Sequence, residues 1–292
     1  YLKHDWDLIV IDESILLKNR KAKKTDVLAT LRRETDATII SLSGSPVAKH
    51  RDDLFRQLQI MAPRAFSSYW RFAEFFCVVE KGQWGWTILG DRPEIDVKHY
   101  LRDYVFIRSQ DEVLPDLPDY LVRNIDLEPT KKQGKALATM FEDWIAILEE
   151  APDDPVLASN WLSRLTRLQQ ITSNLGALPK DSGGFHARSS AKEDLLIDLM
   201  KNDDIELPML VWTWYVETTN SIVDRLSKIK DLRVGKVTGA QKRDDKIATI
   251  EAYRNGELDV LVLQMGVGKF GHTFTDTRTI YYHDRSFDSD AW

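Results

Sequence analysis

Cysteine is nearly absent from this chain. Cys77 is its one cysteine, which excludes an internal disulfide and a cysteine-built zinc site. The six histidines are scattered, and none falls in an H-E-x-x-H pair. No apolar run approaches the roughly 20 residues of a membrane-spanning helix, and the chain opens without a signal-peptide pattern. Low-complexity tracts and internal repeats are missing as well. So is a G-x-x-x-x-G-K-[ST] loop. The stretch from Gly266 to Lys269 comes nearest, but Phe270 follows the lysine and no glycine stands five positions before Gly268.

What is present suits a globular protein. The chain has 292 residues, 43% hydrophobic and 29% charged. That is long enough for two domains at about 100–200 residues each. A formal net charge of −6 excludes a bulk polycation but not a local basic groove. Tyr1 stands a few residues before a strand pattern, and Trp292 closes the chain without a stop signal. The chain is therefore expected to be a piece of a longer protein.

The most informative stretch lies near the start. Leu8-Ile9-Val10-Ile11 is a continuous apolar run, the pattern of a parallel strand buried on both faces. It ends in Asp12 and Glu13. Parallel sheets bind ligands at the carboxyl ends of their strands. Two adjacent acids there suit a Mg²⁺–nucleotide site, one acid holding the ion and the other polarising water. They equally suit the cap of a following helix. Next comes Lys18-Asn19-Arg20-Lys21-Ala22-Lys23-Lys24, five cations in seven positions. Such a run either contacts nucleic-acid phosphates or forms a solvated loop. Thr25 is expected to cap the helix after it. A second strand, 37–42, ends in Ser43-Gly44-Ser45-Pro46. Small residues there allow close backbone approach; alternatively Ser45 caps a helix with Pro46 at its first position.

Taken together, these stretches resemble the Swi/Snf-type family of helicase-like ATPases, within superfamily two. Asp12 to Asn19 (DESILLKN) resembles that family's motif II, with Ile15 where the family often has histidine. Leu42 to Pro46 (LSGSP) resembles motif III. Val105 to Pro118 resembles the family's close of lobe one, with Ser109 and Asp111 in place of an arginine and a lysine. Ser190-Ala191-Lys192 resembles an S-x-K lead into a helix, and Pro208 to Trp214 resembles motif IV. Gln264 to Thr275 resembles motif V, in which Gly271 and Thr275 match while Lys269 and Thr273 depart. Thr279 to Phe287 resembles the strand and loop that follow.

The resemblance implies an α/β fold of two RecA-like lobes, mostly parallel sheets flanked by helices, with helical insertions. Residues 1–115 would form the C-terminal part of lobe 1 with a helical protrusion. Residues 116–292 would form an incomplete lobe 2, opened by a strand at 120–127, with a helical insertion at about 130–205. It implies ATP and Mg²⁺ as cofactors. Asp12 would hold Mg²⁺ through water, and Glu13 would position the attacking water. Ser43, Gly44 and Ser45 would couple nucleotide state to the lobe interface. Lys18, Asn19 and Arg20, with Gly266, Gly268, Lys269, Gly271 and Thr275, would track the backbone of DNA, duplex preferred, without base readout. No membrane partner is implied. The setting would be intracellular: cytoplasmic in a bacterium or phage, nuclear in a eukaryote. Because the Walker A loop and the motif VI arginines fall outside the chain, it is expected to be inactive alone. Two alternatives stand beside this: an RNA or single-strand helicase of the same superfamily, and a non-catalytic nucleic-acid-binding scaffold.

Overall fold

The computed structural model describes residues 6–19, 22–83, 85–116, 121–150, 155–181, 184, 186–202, 204–268 and 273–285. The chain packs as two compact units, Tyr1–Leu121 and Val122–Trp292. Both are α/β: the first holds one parallel strand pair and one antiparallel hairpin, the second an all-parallel sheet, each with flanking helices.

The first unit runs β1 (Leu8–Ile11), α1 (Lys23–Glu34), β2 (Thr38–Ser41), α2 (Leu54–Met61), α3 (Tyr69–Phe76), β3 (Cys77–Gly82) and β4 (Gly85–Asp91), then the short α4 (Val97–Tyr100) and α5 (Gln110–Val113). Strands β1 and β2 are parallel, with Leu8 opposite Thr38 and Ile11 opposite Ser41. The expected burial of β1 on both faces is not found. Leu8 is 50% and Val10 53% exposed, and Ile40 beside them is 44% exposed. The reason is coverage: α2 packs against β2 and α1 against α2, and among the described residues nothing lies over the other face. Thr25 does not cap α1. The cap position is Ala22, with no side-chain bond, and Thr25 is buried in the first turn. Nor does Ser45 cap a helix, because the chain after Pro46 continues as loop to the turn at Arg51–Asp53.

The aromatic run between 66 and 76 is largely core. Phe72 and Phe76 are buried against Leu54, Phe55 and Leu58 of α2, and Ser68 caps α3 by accepting the Arg71 amide. Gly82 and Gly85 pair at the closed end of an antiparallel hairpin, β3 with β4, and Trp84 lies outside the described residues. Gly85 has φ 116 there, a conformation that favours glycine.

The second unit opens without the expected strand at 120–127: Tyr120 lies outside the described residues, Val122 is 64% exposed, and no strand is formed in 121–130. Then follow α6 (Lys131–Glu150), α7 (Pro155–Ser173), α8 (Ala191–Lys201), β5 (Met209–Thr213), α9 (Val216–Leu226), β6 (Val234–Val237), α10 (Arg243–Arg254), β7 (Val260–Gln264), α11 (Met265–Gly268) and β8 (Thr279–Tyr282). Its four-stranded sheet has the order β6-β7-β5-β8, all parallel. The two-residue period divides the core cleanly. Met209, Val211, Val260 and Val262 face Leu196 of α8 and Ile222 and Leu226 of α9. Leu210, Leu261 and Leu263 face Ile250 and Tyr253 of α10. Each such side chain contributes about 1.5–3 kcal/mol by leaving water. This is why β5 and β7 read as unbroken apolar runs. Among the described residues, no helix is long and apolar enough to cross a membrane.

Candidate functional site

In the first unit, the carboxyl edge of the two parallel strands gathers the acids and the small-residue turn. Asp12 and Glu13 leave β1 as exposed side chains. The Asp12 carboxylate accepts the Glu13 amide at 2.9 Å. Glu13 itself has φ 50 and ψ 50, in the left-handed region, which costs a residue with a Cβ roughly 1–2 kcal/mol. That sharp bend starts the turn Ser14–Leu17 and brings the Ser14 amide to the Leu42 carbonyl at 2.9 Å. The helix that packs below ties the two motifs together. Buried Gln57 accepts the Ser14 hydroxyl at 2.9 Å and donates to the Pro46 carbonyl at 2.8 Å. One glutamine on α2 thus joins the chain after Glu13 to the turn after Ser45. Sequence reading passes over Gln57. The one available signal is a glutamine on the otherwise apolar face of α2.

Ser43 keeps a buried hydroxyl with no hydrogen-bond partner among the described residues. Ser45 is exposed, and a side chain on Gly44 would meet nothing within 4 Å. Lys18 and Asn19 follow on the exposed end of the Ser14–Leu17 turn. Arg20 lies outside the described residues. No group of three or more potential metal-ligating residues exists among those described. The donor set here is a carboxylate pair beside an unpartnered hydroxyl. That fits a hydrated Mg²⁺ carried in by a nucleotide, an ion that prefers one or two carboxylates plus waters and phosphates.

In the second unit, the corresponding edge is held by two side chains. Gln264, at the end of β7, accepts the Gly239 amide at 2.9 Å and donates to the Trp214 carbonyl at 3.3 Å. It therefore links the loops after β6, β5 and β7. Gly266 lies on α11 with open space around it, and Gly268 ends that helix. Lys269 and Gly271 lie outside the described residues. The exposed Thr275 follows a segment pinned to α10, where Arg254 donates to the Thr273 carbonyl at 3.0 Å and Phe274 meets Tyr253 edge-on at 5.7 Å.

Asp284 is the second holder. It is 1% exposed. Its Oδ2 accepts the Trp214 amide at 2.9 Å and the Ser173 hydroxyl at 3.0 Å. Lys192 lies 3.8 Å from Oδ1 and donates to the His283 carbonyl at 2.9 Å. Burial lowers the Lys192 pKa, and the neighbouring Asp284 opposes that shift. His283 is buried beside it, and burial lowers its pKa too. The structure thus joins the S-x-K stretch that opens α8 to the loop after β8, an association that neither stretch reveals alone.

A profile of the SNF2-related domain matches residues 1–177, more than half of the chain. The chain belongs to the SNF2-related family. Among its relatives is the "DNA annealing helicase and endonuclease ZRANB3" of Bos taurus, 21% identical over 291 residues, covering 97% of this chain and 25% of that protein. Another is the SWI/SNF-related matrix-associated actin-dependent regulator of chromatin subfamily A-like protein 1 of Drosophila melanogaster, 31% identical over 131 residues, or 44% of this chain and 17% of the relative. The chain spans about a quarter of the length of the first of these, with 25% covered. Among solved structures, a Sulfolobus solfataricus SWI2/SNF2 ATPase core in complex with dsDNA aligns over 97% of this chain and 59% of its own, with a TM-score of 0.50 and 21% identity. The SNF2 chain accordingly has the α/β fold of RecA-like lobes.

Proposed function

We propose that this SNF2 chain is part of an ATP-dependent translocase that moves on duplex DNA. The observation that carries the proposal is the Asp12–Glu13 pair at the carboxyl edge of β1, bridged through Gln57 to the Ser43–Pro46 turn. The likeness to a SWI2/SNF2 core solved with duplex DNA supports the choice of polymer.

Bound Mg²⁺–ATP supplies a phosphoryl group whose transfer depends on positioning and charge neutralisation. Asp12, whose Oδ1 accepts the Glu13 amide, would hold the Mg²⁺. Glu13 orients the attacking water and takes its proton. Ser43, Gly44 and Ser45 report nucleotide state, because any shift at Ser14 passes through Gln57 to Pro46. Lys18, Asn19 and Arg20, and Gly266, Gly268, Lys269, Gly271 and Thr275, contact phosphodiester oxygens without reading bases. The chain lacks a phosphate-cradling lysine loop, so it does not hydrolyse ATP by itself.

The test is ATP hydrolysis by the full-length protein with duplex DNA, single-stranded DNA or RNA at matched salt. Duplex DNA should give the largest stimulation, and the 292-residue chain should give none. Stimulation by RNA or single strands alone would replace the proposal with an unwinding helicase. Salt-dependent DNA binding without turnover would replace it with a scaffold.

A further inference from the structure

At the amino edge of β1 and β2, opposite the acids, the first unit carries a second concave feature. A cavity of about 920 Å³ opens between the C-terminal ends of α1 and α2. It lies at the amino edge because Thr35, on its wall, bonds the Trp6 carbonyl just before β1. Arg32, Arg33, Arg56 and Arg64 line it, against Asp26 and Asp36. Among the described residues, only Arg56 of the four has a carboxylate partner, Asp26 at 3.4 Å. Arg32 and Arg33 spend one guanidinium N–H each on the Thr35 carbonyl and the Thr30 hydroxyl. Arg64 is exposed and makes no hydrogen bond or ion pair among the described residues. The Nε atoms of Arg32 and Arg56 are covered from water and have no acceptor.

Four cations against the two carboxylates Asp26 and Asp36 leave the concavity with a net positive charge. Cations near helix C-termini offset the macrodipole, which accounts for Arg32 and Arg33 in the last turn of α1. It does not account for Arg64, which lies beyond α2, nor for the size of the cavity. We propose that the cavity binds a ligand carrying two or more phosphate groups. The planar guanidinium fork matches phosphate oxygens two at a time. A water takes up about 30 Å³ of liquid volume, so a single five-atom oxyanion would fill only a fraction of this space. The proposal does not depend on ATP hydrolysis or on the acids at the other edge of the sheet.

The probe is inorganic pyrophosphate, titrated calorimetrically into the chain at low salt without Mg²⁺. Binding to a single site is expected. Arg64→Glu, at an exposed position where the fold is not at risk, should weaken it about tenfold or more, and Lys201→Glu in the other unit should leave it unchanged. Arg32→Gln, checked for folding by circular dichroism, should weaken it as well. A short DNA duplex added in competition identifies the source. Displacement of pyrophosphate means that the phosphates belong to a nucleic-acid backbone, and duplex binding without displacement means that they belong to a free phosphate compound. No pyrophosphate binding at millimolar concentration, or an Arg64→Glu affinity within twofold of the original, overturns the proposal. Either result would leave nucleic-acid-stimulated ATP hydrolysis by the full protein untouched, so the two readings fail separately.

Discussion

Glu13 occupies a backbone position that its own side chain disfavours. The left-handed φ of 50 is tolerated because the Ser14 amide and hydroxyl are both bonded. Glu13→Gly should therefore raise the stability of the chain by up to about 1 kcal/mol while removing the carboxylate, as read from the urea midpoint. A lower midpoint would show that the bend carries no strain. Gln57→Leu has the opposite sign. It strands the buried Ser14 hydroxyl and should cost about 1–3 kcal/mol, whereas Gln57→Glu keeps an acceptor for Ser14 but loses the donor to Pro46. His283 supplies a pH dependence. Its Nε2 meets the Ser173 carbonyl at 3.1 Å and its Nδ1 has no partner among the described residues, as suits a neutral ring. Burial holds its folded pKa below the ordinary 6.5, with Asp284 and Glu193 opposing the shift and Lys192 reinforcing it. Below 6.5 the unfolded chain binds the proton and the folded chain resists it, so stability is full above that pH and falls on acidification. The urea midpoint should drop between pH 7.5 and 5.5, and His283→Gln should flatten that drop.

Among the elements, the tie between α7, α8 and the loop after β8 is the one with the largest expected effect. Asp284→Ala removes the acceptor of the Trp214 amide and the Ser173 hydroxyl and leaves Lys192 without its counter-charge. Breaking a buried pair in this way costs about 3–5 kcal/mol. Hydrogen exchange should speed up at the C-terminal end of α7 and the start of α9. Unchanged exchange there would show that α7 is held by its apolar face alone. Strands β5 and β7 were legible in sequence because both faces are covered and their apolar runs are unbroken. The stretch 120–127 reads as a strand, yet its described part, 121–127, pairs with no other strand. The hairpin β3–β4 is not legible in the sequence, because its outer face is exposed and its residues mix glycine and charge. The acids and the LSGSP turn were legible as motifs. Gln57, Gln264 and the Lys192–Asp284 pairing were not, because each exists only when segments distant in sequence meet.

At the scale of the molecule, each unit follows one rule: parallel strands deliver loops to one edge, and a buried polar side chain bonds those loops to each other. Gln57 does so in the first unit, and Gln264 with Asp284 in the second. A backbone organised this way can pass a small shift at one loop to its neighbours without disturbing the core, which is what coupling hydrolysis to movement requires. In the proposed translocase, Glu13 acts in the hydrolytic step rather than in folding or nucleotide binding. Single-turnover ATP hydrolysis by the full-length protein bound to duplex DNA, compared with Glu13→Gln, tests it most directly. The variant should bind ATP with unchanged affinity and lose about 10²-fold or more in the hydrolytic rate. A variant that hydrolyses ATP at the original rate would contradict it.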